Sequence, residues 1–359
     1  MSILERLNPL RIVRTVDSVP QLRSLNEKMR QDQKEMTRQL RTISRQLEQL
    51  EATLNRQQKI LDGIPELQAQ VRRCATAYTK DARQADLVAE LRTKLGDGQR
   101  IADHAAAAVA RAQLELDPFP HIVIDNLLPD DMSSELIRAM PSNAFFKTED
   151  MTRQELEVPF VFAPEYSRIM WNTFFHKVID EAMVPAITEK FRPALDDFLR
   201  THWPELGSMA EAGIRLRVSN SRLLLRRPGY VIKPHRDPRW AFLTCLVYLP
   251  QTAAHQVYGT QLYRLRREPE VTHSSPLWVD RSECELVKDV PAIRNTAVVF
   301  LNSTGAHGAS IPTDAPANVE RFLYQVQFGV DQETKGRLIA GVSDTARSSW
   351  ATARDSGYQ

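Results

Sequence analysis

The stretch Pro228-Gly229-Tyr230-Val231-Ile232-Lys233-Pro234-His235-Arg236-Asp237-Pro238 decides how the rest of this chain is read. Side chains alternate along an extended strand, so His235 and Asp237 project together while Arg236 faces elsewhere. Two such donors at a strand end, completed by a histidine from a later strand, occupy one face of an octahedron and leave the opposite face open. Imidazole and carboxylate suit ferrous iron, and no thiolate is needed. Alone, His-x-Asp is a weak signal, because an exposed ion pair at a strand-end turn has the same spelling. The later chain supplies the context. Asn295-Thr296-Ala297-Val298-Val299-Phe300-Leu301 has the pattern of a buried strand, and the small-residue turn after it, Gly305-Ala306-His307-Gly308, lets His307 approach a metal. Arg321 then opens the strand Arg321-Phe322-Leu323-Tyr324-Gln325-Val326-Gln327-Phe328. A guanidinium facing inward there needs an anionic partner, since a buried unpaired charge is costly. A dicarboxylate would meet it through a bidentate fork.

Outside these positions the composition is that of an ordinary soluble protein of roughly two domains. Its 47 basic and 45 acidic residues leave a net charge of +2, so no basic excess points to nucleic acid. The three cysteines, Cys74, Cys245 and Cys284, are odd in number and far apart. That argues against a disulfide framework and for a reducing compartment, with the cytoplasm as the expected location. No apolar run approaches the ~20 residues that span a bilayer, and the first 20 residues lack an uncharged signal-peptide core.

In chain order, residues 1–21 read as a mobile leader. From Leu22 a heptad can be assigned with Leu22, Met29, Met36, Ile43, Leu50 and Gln57 at d and Asn26, Gln33, Leu40, Leu47, Leu54 and Leu61 at a. This narrow apolar seam predicts a coiled coil over residues 22–61, formed with a second copy or with a partner helix. Asp62-Gly63-Ile64-Pro65 ends it. Further helices over residues 66–95 and 99–116 complete a helical region, 22–116, in which the first of them could fold back as a hairpin. At Asp117-Pro118-Phe119-Pro120 the composition changes, His121-Ile122-Val123-Ile124-Asp125 reads as a strand, and helices follow over 127–140 and 166–200. Many short strands after Ile214 then suggest a sandwich or barrel flanked by helices. The tail, 331–359, reads as flexible.

At these residues the chain resembles the 2-oxoglutarate- and iron(II)-dependent oxygenases, most closely the prolyl-4-hydroxylase-like branch, over approximately 117–330. Gly229 lies six residues before His235, Leu243-Thr244-Cys245-Leu246-Val247-Tyr248-Leu249 is similar to the strand after the metal motif, and Tyr258-Gly259-Thr260-Gln261-Leu262 resembles a Gly-Gly-x-Leu strand. Pro118 to Asp125 is similar to the opening strand of many bacterial members. The N-terminal α-helical coiled coil that the heptads predict is thus followed by an α+β domain, for which the resemblance implies a double-stranded β-helix (jelly-roll) with flanking helices. It also implies Fe(II) held by His235, Asp237 and His307, with 2-oxoglutarate anchored by Arg321, O2 as the oxidant and ascorbate as an accessory reductant. The implied activity is hydroxylation with release of succinate and CO2, though related sites also desaturate or cyclise. Asp237 argues against halogenation, because halogenase relatives carry a small residue there. Departures from the pattern are Arg226 where prolyl hydroxylases have a tyrosine contacting the cosubstrate, Thr260 in place of the second glycine, and a long His307–Arg321 interval suggesting an insertion around Thr313 to Asn318.

Lys233, Arg236, Arg239 and Trp240 flank the metal motif as a substrate rim or an ordinary charged rim. His121, His176, His202, His255 and His273 lack paired spacing and read as surface or core residues. Two other functions compete: a non-enzymatic coiled-coil assembly protein with a degenerate oxygenase domain, and a cupin-like metal enzyme that uses no 2-oxoglutarate. The unidentified substrate stays open among a protein side chain, an amino acid, a sugar and a lipid intermediate.

Overall fold

The computed structural model describes residues 84–340, apart from 148, 158–159, 238–240, 253–254, 268–276 and 303, together with helical positions scattered between 24 and 68. The chain forms two units, 1–69 and 70–359. The leader at 1–21 and residues 341–359 of the tail lie outside the described residues.

In the first unit, positions 27–31, 33–36, 38–39, 42–55 and 57–58 are helical. Met29, Met36, Ile43, Leu47, Leu50 and Leu54 are all more than half exposed in the single chain. The seam positions Leu22, Asn26, Leu40 and Leu61 lie outside the described residues, as does most of 66–83, where the fold-back was expected.

Among the described residues, the second unit starts with helices that the sequence places in the helical region 22–116. α1 (Gln84–Leu95) and α2 (Gln99–Arg111) instead supply Leu91, Ile101, Ala105 and Val109 to the main core. The alanine-rich stretch is therefore a packing face, small enough for another helix to approach closely. β1 (His121–Ile124), α3 (Asp130–Arg138) and β2 (Arg153–Glu155) follow. A long helical stretch runs from α4 (Glu165–Thr173) through a π-wound segment, Phe174–Met183, into α5 (Val184–His202). Pro185, which has no amide hydrogen to donate, stands just after the wider winding.

The remaining strands are β3 (Arg217–Arg226), β4 (Val231–Arg236), β5 (Leu243–Tyr248), β6 (Thr260–Leu265), β7 (Leu277–Trp278), β8 (Cys284–Val290), β9 (Ala297–Leu301), β10 (Ala306–Ser310) and β11 (Arg321–Gly329). They form two antiparallel sheets, ordered β1-β9-β5-β11-β3-β2 and β7-β4-β10-β6-β8. The larger sheet is covered on both faces. Leu223, Leu225, Cys245, Val247, Phe322, Tyr324 and Val326 pack against the helices, while Leu224, Leu246, Tyr248 and Leu323 belong to a second core shared with Leu262 and Val290 of the smaller sheet. This is period-two alternation with both faces apolar near the middle, and it leaves the inward face at the other end of the strands free to carry polar groups.

The segment expected to be a flexible tail starts with a helix, α6 (Gln332–Ala340). Leu338 is buried, Ile339 packs beside it on the core, the Leu338 carbonyl accepts from Trp203 Nε1 at 3.1 Å and Arg337 Nη2 donates to the Ala212 carbonyl at 3.2 Å, which together seat a stretch whose composition is otherwise polar.

Candidate metal centre

His235 and His307 stand directly opposite each other across β4 and β10. Strict alternation from Tyr230 and Ile232 would turn Pro234 and Arg236 inward. It does not, because the ladder shifts register between His307 and Ala309, which pair with His235 and Ile232 and leave Lys233 and Pro234 as an extra residue pair against Gly308. Proline cannot donate to a ladder and is accommodated at such a bulge. The parity change brings His235 and Asp237 to the same cavity as Tyr230 and Ile232. Close approach is part of it, since a Cβ on Gly308 would come within 2.9 Å of the Ile232 carbonyl oxygen. His307 itself sits within a strand rather than on a turn.

Asp237 lies one residue past the end of β4. The three residues are buried, and their donor atoms lie within 4.8 Å of one another. Asp237 Oδ1 is 3.8 Å from His235 Nε2, and its Oδ2 is 3.9 Å from His307 Nε2. Two of the donors are oriented from behind. His235 Nδ1 faces the Lys233 carbonyl at 2.9 Å, which directs Nε2 to the centre. Thr244 donates its hydroxyl to Asp237 Oδ2 at 2.6 Å, and Asn302 Nδ2 donates to that hydroxyl at 3.0 Å. Thr244 and Asn302 carried no signal in the sequence beyond Thr244 being on the inward parity of β5.

Burial would raise the Asp237 carboxyl, but the adjacent His307 and His235 and the Thr244 hydroxyl together hold it below the usual carboxylate range. Burial lowers His235, and it pushes His307 down to about 3 with help from the neighbouring His235. The site therefore presents two neutral imidazoles and one carboxylate at neutral pH, the protonation states a metal ligand requires. An unfolded chain takes up protons that this site refuses. Stability of the metal-free protein is thus expected to fall as pH drops from 6.5 toward about 3, by roughly 1.4 kcal/mol per pH unit for each proton of difference. Asp237 adds loss in the same direction as pH passes through its lowered value. Urea denaturation across this window checks the slope, and His307→Asn should flatten it. A slope unchanged in that variant would refute the assignment.

Across a cavity of about 490 Å³, Arg321 lies at the start of β11 and is 3% exposed. Its Nη2 donates to the Gly259 carbonyl at 2.9 Å and to Thr260 Oγ1 at 3.3 Å, while its Nε has no hydrogen-bond partner. Tyr248 donates its hydroxyl to Thr260 Oγ1 at 2.8 Å. Thr260, a departure from the expected glycine pair, is thus an acceptor for both groups. The farther wall carries Arg222, Gln325 and Gln327, with Arg222 Nη2 donating to Gln325 Oε1 at 2.8 Å. The four residues singled out from the sequence, His235, Asp237, His307 and Arg321, line this one cavity. Of the expected rim, Arg236 is buried and donates to the Gly305 carbonyl instead. Lys233 is exposed, and Arg239 and Trp240 lie outside the described residues. His121 is a core residue, its Nδ1 2.8 Å from the Phe119 carbonyl.

The donor chemistry fits ferrous iron, and the buried guanidinium with an unpartnered Nε fits a carboxylate. No protein-family model matches the chain, and no curated protein matches it. Structural similarity runs to solved 2-oxoglutarate-dependent oxygenases, prolyl-4-hydroxylases among them. The non-heme alpha-ketoglutarate-dependent carbocyclase SnoK from nogalamycin biosynthesis is 14% identical over 64% of this chain and 86% of its own, with a TM-score of 0.37. A prolyl-4-hydroxylase from Pseudomonas putida is 15% identical over 63% and 99%, with a TM-score of 0.35. HygX from Streptomyces hygroscopicus, solved with nickel, 2-oxoglutarate and hygromycin B, is 13% identical over 60% and 85%, with a TM-score of 0.36. No helix among the described residues is long and apolar enough to cross a membrane.

Proposed function

We propose that this chain is an Fe(II)- and 2-oxoglutarate-dependent dioxygenase that hydroxylates its substrate on a double-stranded β-helix. The observation that carries the reading is the buried His235, Asp237 and His307 cluster facing, in one cavity, a buried Arg321 whose Nε lacks a partner. His235, Asp237 and His307 would hold the iron, and Arg321 the far carboxylate of 2-oxoglutarate. Bound there, the iron and keto acid supply, with O2, oxidative decarboxylation to succinate and CO2 coupled to insertion of one oxygen atom into a substrate C–H bond. The protein's part is to bind, orient and exclude water. Asp237 offsets one metal charge, and Thr244 and Asn302 keep its carboxylate in place. Tyr248 and Thr260 hold the Arg321 end. Arg222, Gln325 and Gln327 give the remaining wall a polar surface that suits a polar substrate.

The test is anaerobic titration of purified protein with ferrous iron and 2-oxoglutarate. A charge-transfer absorption requiring both, and slow succinate release once air is admitted, are expected. Absence of both signals at saturating additions would sink the reading and favour the assembly protein with a degenerate site. Arg321→Met separates a cupin-like enzyme, which would keep its activity.

The same chain carries a self-association arm. Met29, Met36, Ile43, Leu47, Leu50 and Leu54 repeat at heptad positions and are exposed in the single chain, so a second copy would bury the seam. Light scattering on the full-length protein should give a multiple of 40.9 kDa, and Leu47→Lys with Leu54→Lys should reduce it to the single-chain mass without loss of iron binding. A wild-type chain that is monomeric at micromolar concentration would refute this. The buried free thiols of Cys245 and Cys284 accord with a reducing compartment, which supports a cytoplasmic placement.

A further inference from the structure

Three arginines stand side by side across adjacent strands. Arg153 of β2 is opposite Arg226 of β3, Arg226 is opposite Arg321 of β11, and all three line the cavity. Residues directly opposite in an antiparallel pair hold their Cβ atoms roughly 4.5–5.5 Å apart, and like charges so placed destabilise a sheet. Arg153 is the outer, partly exposed member, whereas Arg226 and Arg321 are 6% and 3% exposed. Among the described residues neither of these two forms an ion pair with a carboxylate. Arg226 gives Nη1 to the carbonyl oxygens of Gln154 and Leu225, at 2.5 and 3.1 Å, and its Cζ lies 4.9 Å over the Tyr230 ring. Burial pulls its basicity below the ordinary guanidinium range, Tyr230 opposes this, and the charges of Arg153 and Arg321 add to it. A guanidinium does not shed its proton in a protein. Asp289 acts on Arg321 only from beyond ion-pair distance, so two adjacent buried cations with no carboxylate in contact mark a place for an anion.

We propose that Arg226 is a second anchor, beside Arg321, for the terminal carboxylate of the keto acid. This rests on the reading of the cavity as a 2-oxoglutarate site and deepens it. A carboxylate has about four lone-pair positions, enough to accept from two guanidinium forks. The two arginines are held from behind by different groups: Gly259 and Thr260 hold Arg321, while the Gln154 carbonyl and the Tyr230 ring hold Arg226. Such a pair selects more strongly than one arginine for a keto acid that carries a terminal charge, because without that charge both cations stay unpaired.

Calorimetric titration of the full-length, Ni(II)-loaded protein with 2-oxoglutarate and with 2-oxobutyrate, which lacks the terminal carboxylate, tests this. Arg226→Met should weaken 2-oxoglutarate binding by roughly ten- to a hundredfold and leave 2-oxobutyrate binding unchanged. Arg226→Lys, which keeps the charge and loses the fork, should show a smaller loss and serves if the methionine variant does not fold. Wild-type affinity for 2-oxoglutarate in the folded variants overturns the proposal, as does an equal loss for both keto acids. Wild-type protein that binds no 2-oxoglutarate overturns the cosubstrate reading itself, a result distinct from either.

Discussion

An Asp237→Ala protein is expected to bind ferrous iron more than about a hundredfold more weakly than the parent chain, since losing a group that only supports a ligand already costs 10–100-fold. Asp237 is the one anionic donor in the cluster, and the two imidazoles beside it are neutral. Without it a dication would enter a cavity lined by Arg226 and Arg321 with no carboxylate left in the metal cluster itself, the other acidic lining residues being Glu149, Asp150 and Glu155. The effect on folding is smaller and separable. Thr244 loses its acceptor, a loss on the order of 1–3 kcal/mol, while the proton-linked destabilisation at low pH that Asp237 contributes disappears. Equilibrium dialysis of iron against the variant, with a thermal melt of the metal-free protein as the control for folding, measures both. Iron affinity within a few-fold of wild type in a protein that melts normally would remove Asp237 from the proposed ligand set and leave the two histidines without a carboxylate.

The strands that carry this site were legible because they are short, apolar and bounded by turn residues. Ala297–Leu301 and Arg321–Gly329 were expected almost to the residue. The His235 and Asp237 pair was legible from parity alone, but the reason it faces the cavity was not. That depends on the bulge at Lys233 and Pro234, a property of how β4 registers against β10. Strand β10 itself, Ala306–Ser310, read as a turn because it is made of small residues whose pairing partners are distant in sequence. The arginine row was equally hidden. Arg321 and Arg226 are each marked in the sequence for separate reasons, but nothing joins them to each other or to Arg153 until sheet order places β2, β3 and β11 together. Upstream of residue 117, α1 and α2 have sequences that suit an arm and faces that pack into the main core.

Replacing Gly259 by alanine is expected to cost about 3 kcal/mol or more, the upper range for overpacking, and to lower Tm on the order of 10 °C. A Cβ there would meet the Val290 carbonyl oxygen at 1.7 Å and Pro291 Cα at 2.9 Å, both backbone atoms that no rotamer change can move aside. Either β6 or the end of β8 must shift, and Thr260 pairs with Val290 at that point. The same shift reaches the cavity, because the Gly259 carbonyl and the Thr260 hydroxyl are the acceptors that hold Arg321. The variant should therefore lose 2-oxoglutarate affinity as well as stability, with a smaller loss of iron affinity, since His235 lies on β4 and Asp237 just after it, and only His307, opposite Leu262, pairs with β6. Thermal melts and separate iron and keto-acid titrations distinguish this pattern from general unfolding. A variant that melts as wild type would show that the close approach of β6 and β8 is not a constraint. A variant that loses stability but keeps its keto-acid affinity would show that Arg321 is positioned by Tyr248 and the cavity wall rather than by the Gly259 peptide.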